Sequence, residues 1–336
     1  MKSQPTSPYL VNELSQPRID DVWVATKDLE SIKLNIKAMG YELARQMIHR
    51  LPTRSSDSGP RHVNLTSKPS TQTDLESDWV AYWLSELRIP LIFHRKLWEL
   101  AYVLQALFEN GHLKQGQRGI GFGCGAEPIP SYLASRGVDI TITDLPPEES
   151  EKRGWMSTNQ HAGTLDAIHR AELVDRHTFL ARANLRFVDM NHIPSELQGY
   201  DYCWSICALE HLGSIERGLR FIENSLQTIR RGGTAVHTTE FNFWNDEQTI
   251  DNWPTVLFQK QHFVTIADQL RSAGHVVAEL DFDVGDKPLD RFIDVPPYLH
   301  DLSASQRSYV GNDASHIKLT IDGFPSTCFG LIIRKG

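Results

Sequence analysis

Cysteine is scarce in this 336-residue chain, which has four: Cys124, Cys203, Cys207 and Cys328. They are scattered, with none of the paired CxxC clusters of a structural zinc site and no spacing that suggests a disulfide framework, so free thiols are expected. No apolar run approaches the ~20 residues that a membrane-spanning helix needs. Basic charge is also short: 34 Lys and Arg against 42 Asp and Glu leave a net charge of −8. That balance disfavours a nucleic-acid partner, which normally meets a basic face. The opening stretch carries one early lysine but neither the apolar region nor the cleavage pattern of a secretory signal, and the expectation is a cytoplasmic protein. No internal repeat is visible. What remains, 40% hydrophobic and 23% charged residues, is the composition of an ordinary soluble protein with a sizeable core.

Two textures divide the chain. Between Asp28 and Leu51, Ile32, Leu34, Ile36, Met39, Leu43 and Met47 recur at helical spacing and predict an amphipathic helix. Residues 52–74 are rich in Ser, Thr, Pro and Gly and read as a loop or an ordered lid strand. Two helices follow, one starting at an Asp74 cap and stopping before Pro90, the other ending near Asn110-Gly111. Beyond residue 112, short β-branched runs alternate with helix-period segments, the pattern of an α/β domain with a parallel sheet. Strands are expected at 118–123, 138–143, 185–188, 200–206, 234–239, 276–282 and 327–334. Helices are expected at 129–136, 215–230 and 263–273. Residues 1–112 thus read as a helical extension or lid, and 113–336 as the α/β domain.

The first of these strands runs into "GFGCG", with Gly121, Gly123 and Gly125 before a helix. Missing side chains at such a turn let the backbone approach a ligand. A dinucleotide site remains open on this feature alone, since Ala126 stands at the sixth motif position, where alanine replaces glycine. The second strand ends in Asp144, a carboxylate that can accept bonds from both hydroxyls of a ribose. The third ends in Asp189 and Met190, a polar and apolar pair suited to an adenine ring. The fourth reads "YDYCWSICALEHL", and "RRGG" precedes the fifth.

Taken in order, these five motifs resemble the class I, Rossmann-like S-adenosylmethionine-dependent methyltransferases over roughly residues 117–335. The chain is also similar to a bacterial subgroup with "HRKLWE", "GW…QHA" and "HTTEFN" signatures. The resemblance implies an α/β fold with a seven-stranded, mostly parallel sheet whose last strand is antiparallel, flanked by helices. It implies S-adenosyl-L-methionine as cofactor, met by Gly121, Gly123, Gly125, Asp144, Leu145, Asp189, Met190 and Cys207. One departure stands out. Where the family carries an acid two residues before its first glycine, this chain has Gly121, and Glu127 at the helix start is the substitute for the methionyl end or a cap on the helix dipole.

Methyl transfer is an in-line displacement that draws most of its rate from holding the reactants together, an effect worth ~7–11 kcal/mol. A base is needed only where the acceptor must lose a proton. The candidates sit at the exits of strands four and five: His211, with Glu210 beside it as a capping neighbour, then Glu240 and His237. Metal-binding relatives carry a Glu where this chain has Cys207, so no metal is expected. Trp155, Gln160 and His161 are further candidate ligand contacts, as are Gln72, Thr73 and Glu76 from the extension and Arg291, Tyr298 and His316 from late insertions. The expectation is methylation of a small polar or glycan-like acceptor, at oxygen. The alternatives are an NAD-dependent oxidoreductase, for which no Tyr-x-x-x-Lys constellation is present, and a non-catalytic cofactor-binding partner subunit.

Overall fold

The computed structural model describes residues 26–52, 59–146, 163–312 and 314–336. In chain order the helices and strands are α1 (Leu29–Met47), α2 (Gln72–Leu75), α3 (Asp78–Glu86), α4 (Arg95–Glu109), β1 (Arg118–Phe122), α5 (Ile129–Ser135), β2 (Asp139–Asp144), α6 (Leu165–Ile168), α7 (Arg176–Arg182), β3 (Ala183–Phe187), β4 (Tyr200–Ile206), α8 (Ile215–Thr228), β5 (Ile229–Asn242), α9 (Lys260–Ser272), β6 (Val276–Val277), β7 (Ile293–Asp294), α10 (Ala304–Val310), β8 (Lys318–Ile321) and β9 (Phe324–Arg334). Helix starts follow local chemistry: Thr71, Ser77 and Ser214 each accept a backbone N–H of the first turn. Asp74 is therefore not the cap that the sequence suggested. It is buried, and its carboxylate instead accepts Trp98 Nε1–H at 2.9 Å and Lys68 Nζ at 3.1 Å.

Strands β3-β2-β1-β4-β5 lie side by side in that order and run parallel, and β9 joins β5 antiparallel. The order reverses between β1 and β4, which opens a crevice at the carboxyl ends of these two strands. The described sheet has nine strands rather than seven, because β9 carries three further partners, directly or through β8. It forms a hairpin with β8 through Asp322 and Gly323, both at positive φ (+46° and +89°), as a tight two-residue turn requires. β7 then pairs with β8, and β6 pairs with the far end of β9. β6 is two residues long, not the seven expected over 276–282. Ser67 of the extension takes over the pairing there, bonding to Glu279 and Asp281.

Of the segment read from sequence as a loop or lid strand, residues 61–66 are held by Tyr102, Gln105 and Glu109 of α4, and residues 68–70 pair with β9, Lys68 and Gly330 exchanging both backbone hydrogen bonds. Helix α4 packs on β4, β5 and β9. Its Tyr102 ring presses so closely on Gly330 that a Cβ there would lie 2.2 Å from the ring, which leaves no room for any side chain. Trp79, Trp83 and Trp98 of the extension share one continuous core with Ile129, Leu133, Tyr202 and Trp204. The extension thereby covers a face of the sheet, and the first turn of α4 arrives at the crevice.

Candidate active site

Past Phe122 the chain turns through Gly123 and Gly125, at φ +61° and +51°, a left-handed region that costs little only for glycine. A Cβ on Gly123 would lie 2.7 Å from Ala208 Cβ and 3.3 Å from Met190 Sδ. Asp144 braces the turn from the neighbouring strand, its carboxylate accepting the N–H of Gly125 at 3.1 Å and that of Leu145 at 2.8 Å. Gly123, Gly125, Glu127, Asp144, Leu145, Asp189, Met190 and Cys207 all line one cavity of about 710 Å³. The Asp189 carboxyl feels burial, which pushes it up, but bonds from Asn191 and His192 outweigh that and hold it below its ordinary value.

Gly121, in contrast, does not line the cavity. A Cβ there would lie 2.4 Å from the Trp204 ring and 2.3 Å from Cys124 Sγ, so this glycine serves packing. It lets the Trp204 indole lie across β1, where Nε1–H donates to Glu127 Oε1 at 2.6 Å. Burial pushes the Glu127 carboxyl up to about 8, so it is mostly protonated at neutral pH.

The far end of the same cavity is polar, and much of it comes from residues the sequence reading left out. Arg95, Lys96 and Leu100 of α4 line it, with Cys207, Glu210, His211, Glu240 and Thr255 from the strand exits. Arg95 Nη1 pairs with Glu240 Oε1 at 2.5 Å and donates to Cys328 Sγ at 2.8 Å. Ser326 donates to the second oxygen of Glu240 at 3.0 Å. Beneath them Glu99 is fully buried and receives Lys96 Nζ at 3.3 Å, the thiols of Cys207 and Cys328 at 2.8 Å each, and the Thr238 hydroxyl at 2.5 Å. Burial pushes the Glu99 carboxyl up, yet Lys96 and Arg95 more than offset this and keep it below its ordinary value. The donor atoms of Glu99, Cys207 and Cys328, and those of Cys207, Glu210 and Glu240, are close enough to share a cation. The cationic groups found against them are the Arg95 guanidinium and the Lys96 ammonium. Cys207 itself is held at φ +43°, its N–H donating to the Thr238 carbonyl at 3.0 Å.

The three candidate bases part company here. His211 lines the cavity, and its Nδ1 faces the Pro254 carbonyl at 3.1 Å and the Thr255 hydroxyl at 3.2 Å. Burial lowers its imidazole to about 4. Glu240 lines the cavity with both oxygens engaged by Arg95 and Ser326. His237 is not a site residue: it is 1% exposed, and its two ring nitrogens bond Ser205 Oγ at 2.8 Å and Ser225 Oγ at 3.0 Å. It bridges β4 and α8 in the core, where burial lowers it to about 3. We expect His237→Ala to cost about 3 kcal/mol of stability, measured by urea unfolding, through the cavity it leaves and two hydroxyls without partners. Affinity for S-adenosylhomocysteine should not change.

Among the described residues, the expected outer contacts do not line the cavity. Gln72 bonds Glu76 and the Leu289 backbone, Thr73 is exposed, and Glu76 pairs with Lys287. Tyr298 donates to the Thr320 carbonyl, His316 bonds Asp294 at 2.8 Å, and Arg291 is absent from the lining. Trp155, Gln160 and His161 lie outside the described residues. Arg170, not singled out from sequence, does line the cavity and donates to the Ala126 carbonyl.

Neither known protein-family profiles nor curated proteins give a match to this chain. Solved structures do. A phosphoethanolamine N-methyltransferase 2 of Haemonchus contortus, solved with phosphomonomethylethanolamine and S-adenosylhomocysteine, is 16% identical at a TM-score of 0.42, over 69% of this chain and 52% of that one. An S-adenosylmethionine-dependent methyltransferase of Mesorhizobium loti is 12% identical at 0.38, over 68% and 96%. The [4+2]-cyclase SpnF is 16% identical at 0.44, over 81% and 99%. No helix among the described residues is long and apolar enough to cross a membrane. On its own strand order, with the switch between β1 and β4 and an antiparallel β9 against β5, the chain has the Rossmann-like fold of the class I methyltransferases.

Proposed function

We propose that this protein transfers a methyl group from S-adenosyl-L-methionine to a hydroxyl of a small polar or glycan-like acceptor. The observation that carries the reading is one continuous cavity at the strand switch. One end is a bare left-handed turn braced by Asp144, and the other is a floor of ionisable groups from α4, β4 and β5. The residues present fit the cofactor. Gly123 leaves a cradle that a Cβ would fill, and Asp144 brings a carboxylate, an acceptor suited to ribose hydroxyls, to the cavity wall. Asp189 supplies an acceptor for an exocyclic amine, with Met190 and Leu145 as apolar flanks. Glu127 takes the place of the missing acid before the turn and would meet the methionyl ammonium.

Bound there, the cofactor supplies a methyl group on a positively charged sulfur. The chain's own part is to position the acceptor at the polar end, exclude water, and hold its proton. Thermal unfolding with added ligand tests the reading. S-adenosylhomocysteine at 100 times its Kd should stabilise the protein by about 2.7 kcal/mol, with NAD giving no shift. Stabilisation by NAD alone overturns methyl transfer.

A further inference from the structure

We propose that Glu210, rather than His211, takes the proton of the acceptor hydroxyl, an assignment that rests on the methyl-transfer reading of this cavity. Glu210 is 1% exposed, and its two oxygens are treated differently. Oε2 accepts the Thr239 hydroxyl at 2.9 Å, which fixes the plane of the carboxyl. Oε1 is buried with no hydrogen-bond partner among the described residues, at a residue that lines the cavity. A buried carboxylate oxygen left unmatched costs free energy that an incoming O–H group recovers. The Glu210 backbone is held as well, its carbonyl accepting Val256 N–H at 2.9 Å.

The neighbours explain why this carboxyl suits the task. Glu240 faces it from β5, Lys96 and Glu99 from α4, with Cys207 on its own loop and Arg95 reaching Glu240 from behind. Burial and the Glu240 charge raise Glu210 to about 7, near the pH at which it would work. His211 Nε2 stands 3.9 Å from Glu210 Oε1, so both border the same point. The imidazole is the weaker base, being lowered to about 4, and its Nδ1–H serves the Pro254 carbonyl, which ties down the 254–255 loop. His211 is accordingly a positioning residue. Glu210 Oε1 receives the hydroxyl proton as the acceptor oxygen bonds to the methyl carbon and the carbon–sulfur pair leaves with sulfur. Neutral Glu210 then returns its proton to solvent through the cavity.

Two measurements test this together. Difference infrared spectroscopy of wild type against Glu210→Gln, titrated from pH 5 to 9, should show a protonated carboxyl that loses its proton near pH 7. Glu240→Gln removes the repelling charge and should move that titration to lower pH. In parallel, S-adenosylhomocysteine release is followed with catechol, 4-hydroxybenzoate and methyl glycosides as acceptors. On the best of them wild-type kcat/KM should rise with pH along the same titration, and Glu210→Gln should lower kcat by ~10²–10⁴ with unchanged S-adenosylhomocysteine affinity. His211→Ala should act mainly on KM. A carboxyl that titrates in the ordinary glutamate range, or wild-type turnover in Glu210→Gln, overturns the assignment. A wild-type protein that does not bind S-adenosylhomocysteine overturns instead the methyl-transfer reading beneath it.

Discussion

Asp144→Ala lowers affinity for S-adenosylhomocysteine about 30- to 150-fold in calorimetric titration. The size follows from two charge-assisted bonds to ribose hydroxyls, together ~2–3 kcal/mol. A second effect points the same way. The carboxylate also receives the N–H groups of Gly125 and Leu145, so its loss leaves the left-handed turn without its brace. Asp144→Asn separates the two contributions: it keeps an oxygen for one backbone N–H but gives up the charge, and should fall between wild type and alanine. Unchanged affinity in the alanine variant would place the cofactor elsewhere.

The second large effect concerns Glu127. Its carboxyl is raised to about 8 by burial, so it enters the complex protonated at pH 7. A methionyl ammonium beside it favours the ionised form, and binding should therefore release a proton. Calorimetry at pH 7 in buffers of different ionisation enthalpy should show close to one proton released, and affinity should climb as pH rises from 6 to 8. Glu127→Gln abolishes both the release and the pH dependence and weakens binding by about tenfold or more, the scale of a hydrogen bond to a charged group. The same shift has a stability consequence of defined sign. A folded value above the unfolded 4.5 contributes stability below pH 4.5, and that contribution is lost as pH rises through 8. Glu127→Gln should thus gain on wild type in Tm between pH 5 and 8. A release that persists in the glutamine variant would assign the proton to another group.

The glycine-turn end of the cavity was legible in the sequence because its requirements are local. A left-handed turn demands glycine where it stands, and a strand that ends in Asp144 or runs out just before Asp189 and Met190 announces its own exit. Gly121 shows the limit of that logic: the same residue type, two positions earlier, answers to an indole from a strand more than eighty residues away. The acceptor end was mostly illegible. Arg95 and Lys96 reach the cavity only because α4 lies on the sheet, and Cys328 stands behind Arg95 because β9 pairs beside β5. A hint was present in "HRKLWE", where Arg95 and Glu99 share one helix face with a buried Trp98 three positions after Arg95. His237 was placed at the site for one reason. Residue type gives intrinsic basicity, but burial and partners decide which side chain titrates near neutral pH, and those are set by tertiary packing.

The placement of α4 has a practical consequence for handling the molecule. A chain shortened to begin at β1 would keep the glycine-turn half of its cleft and lose Arg95 and Lys96 from the other half. It would also bare the apolar sheet surface that Trp98 and Tyr102 now cover, so it should aggregate rather than behave as a minimal enzyme.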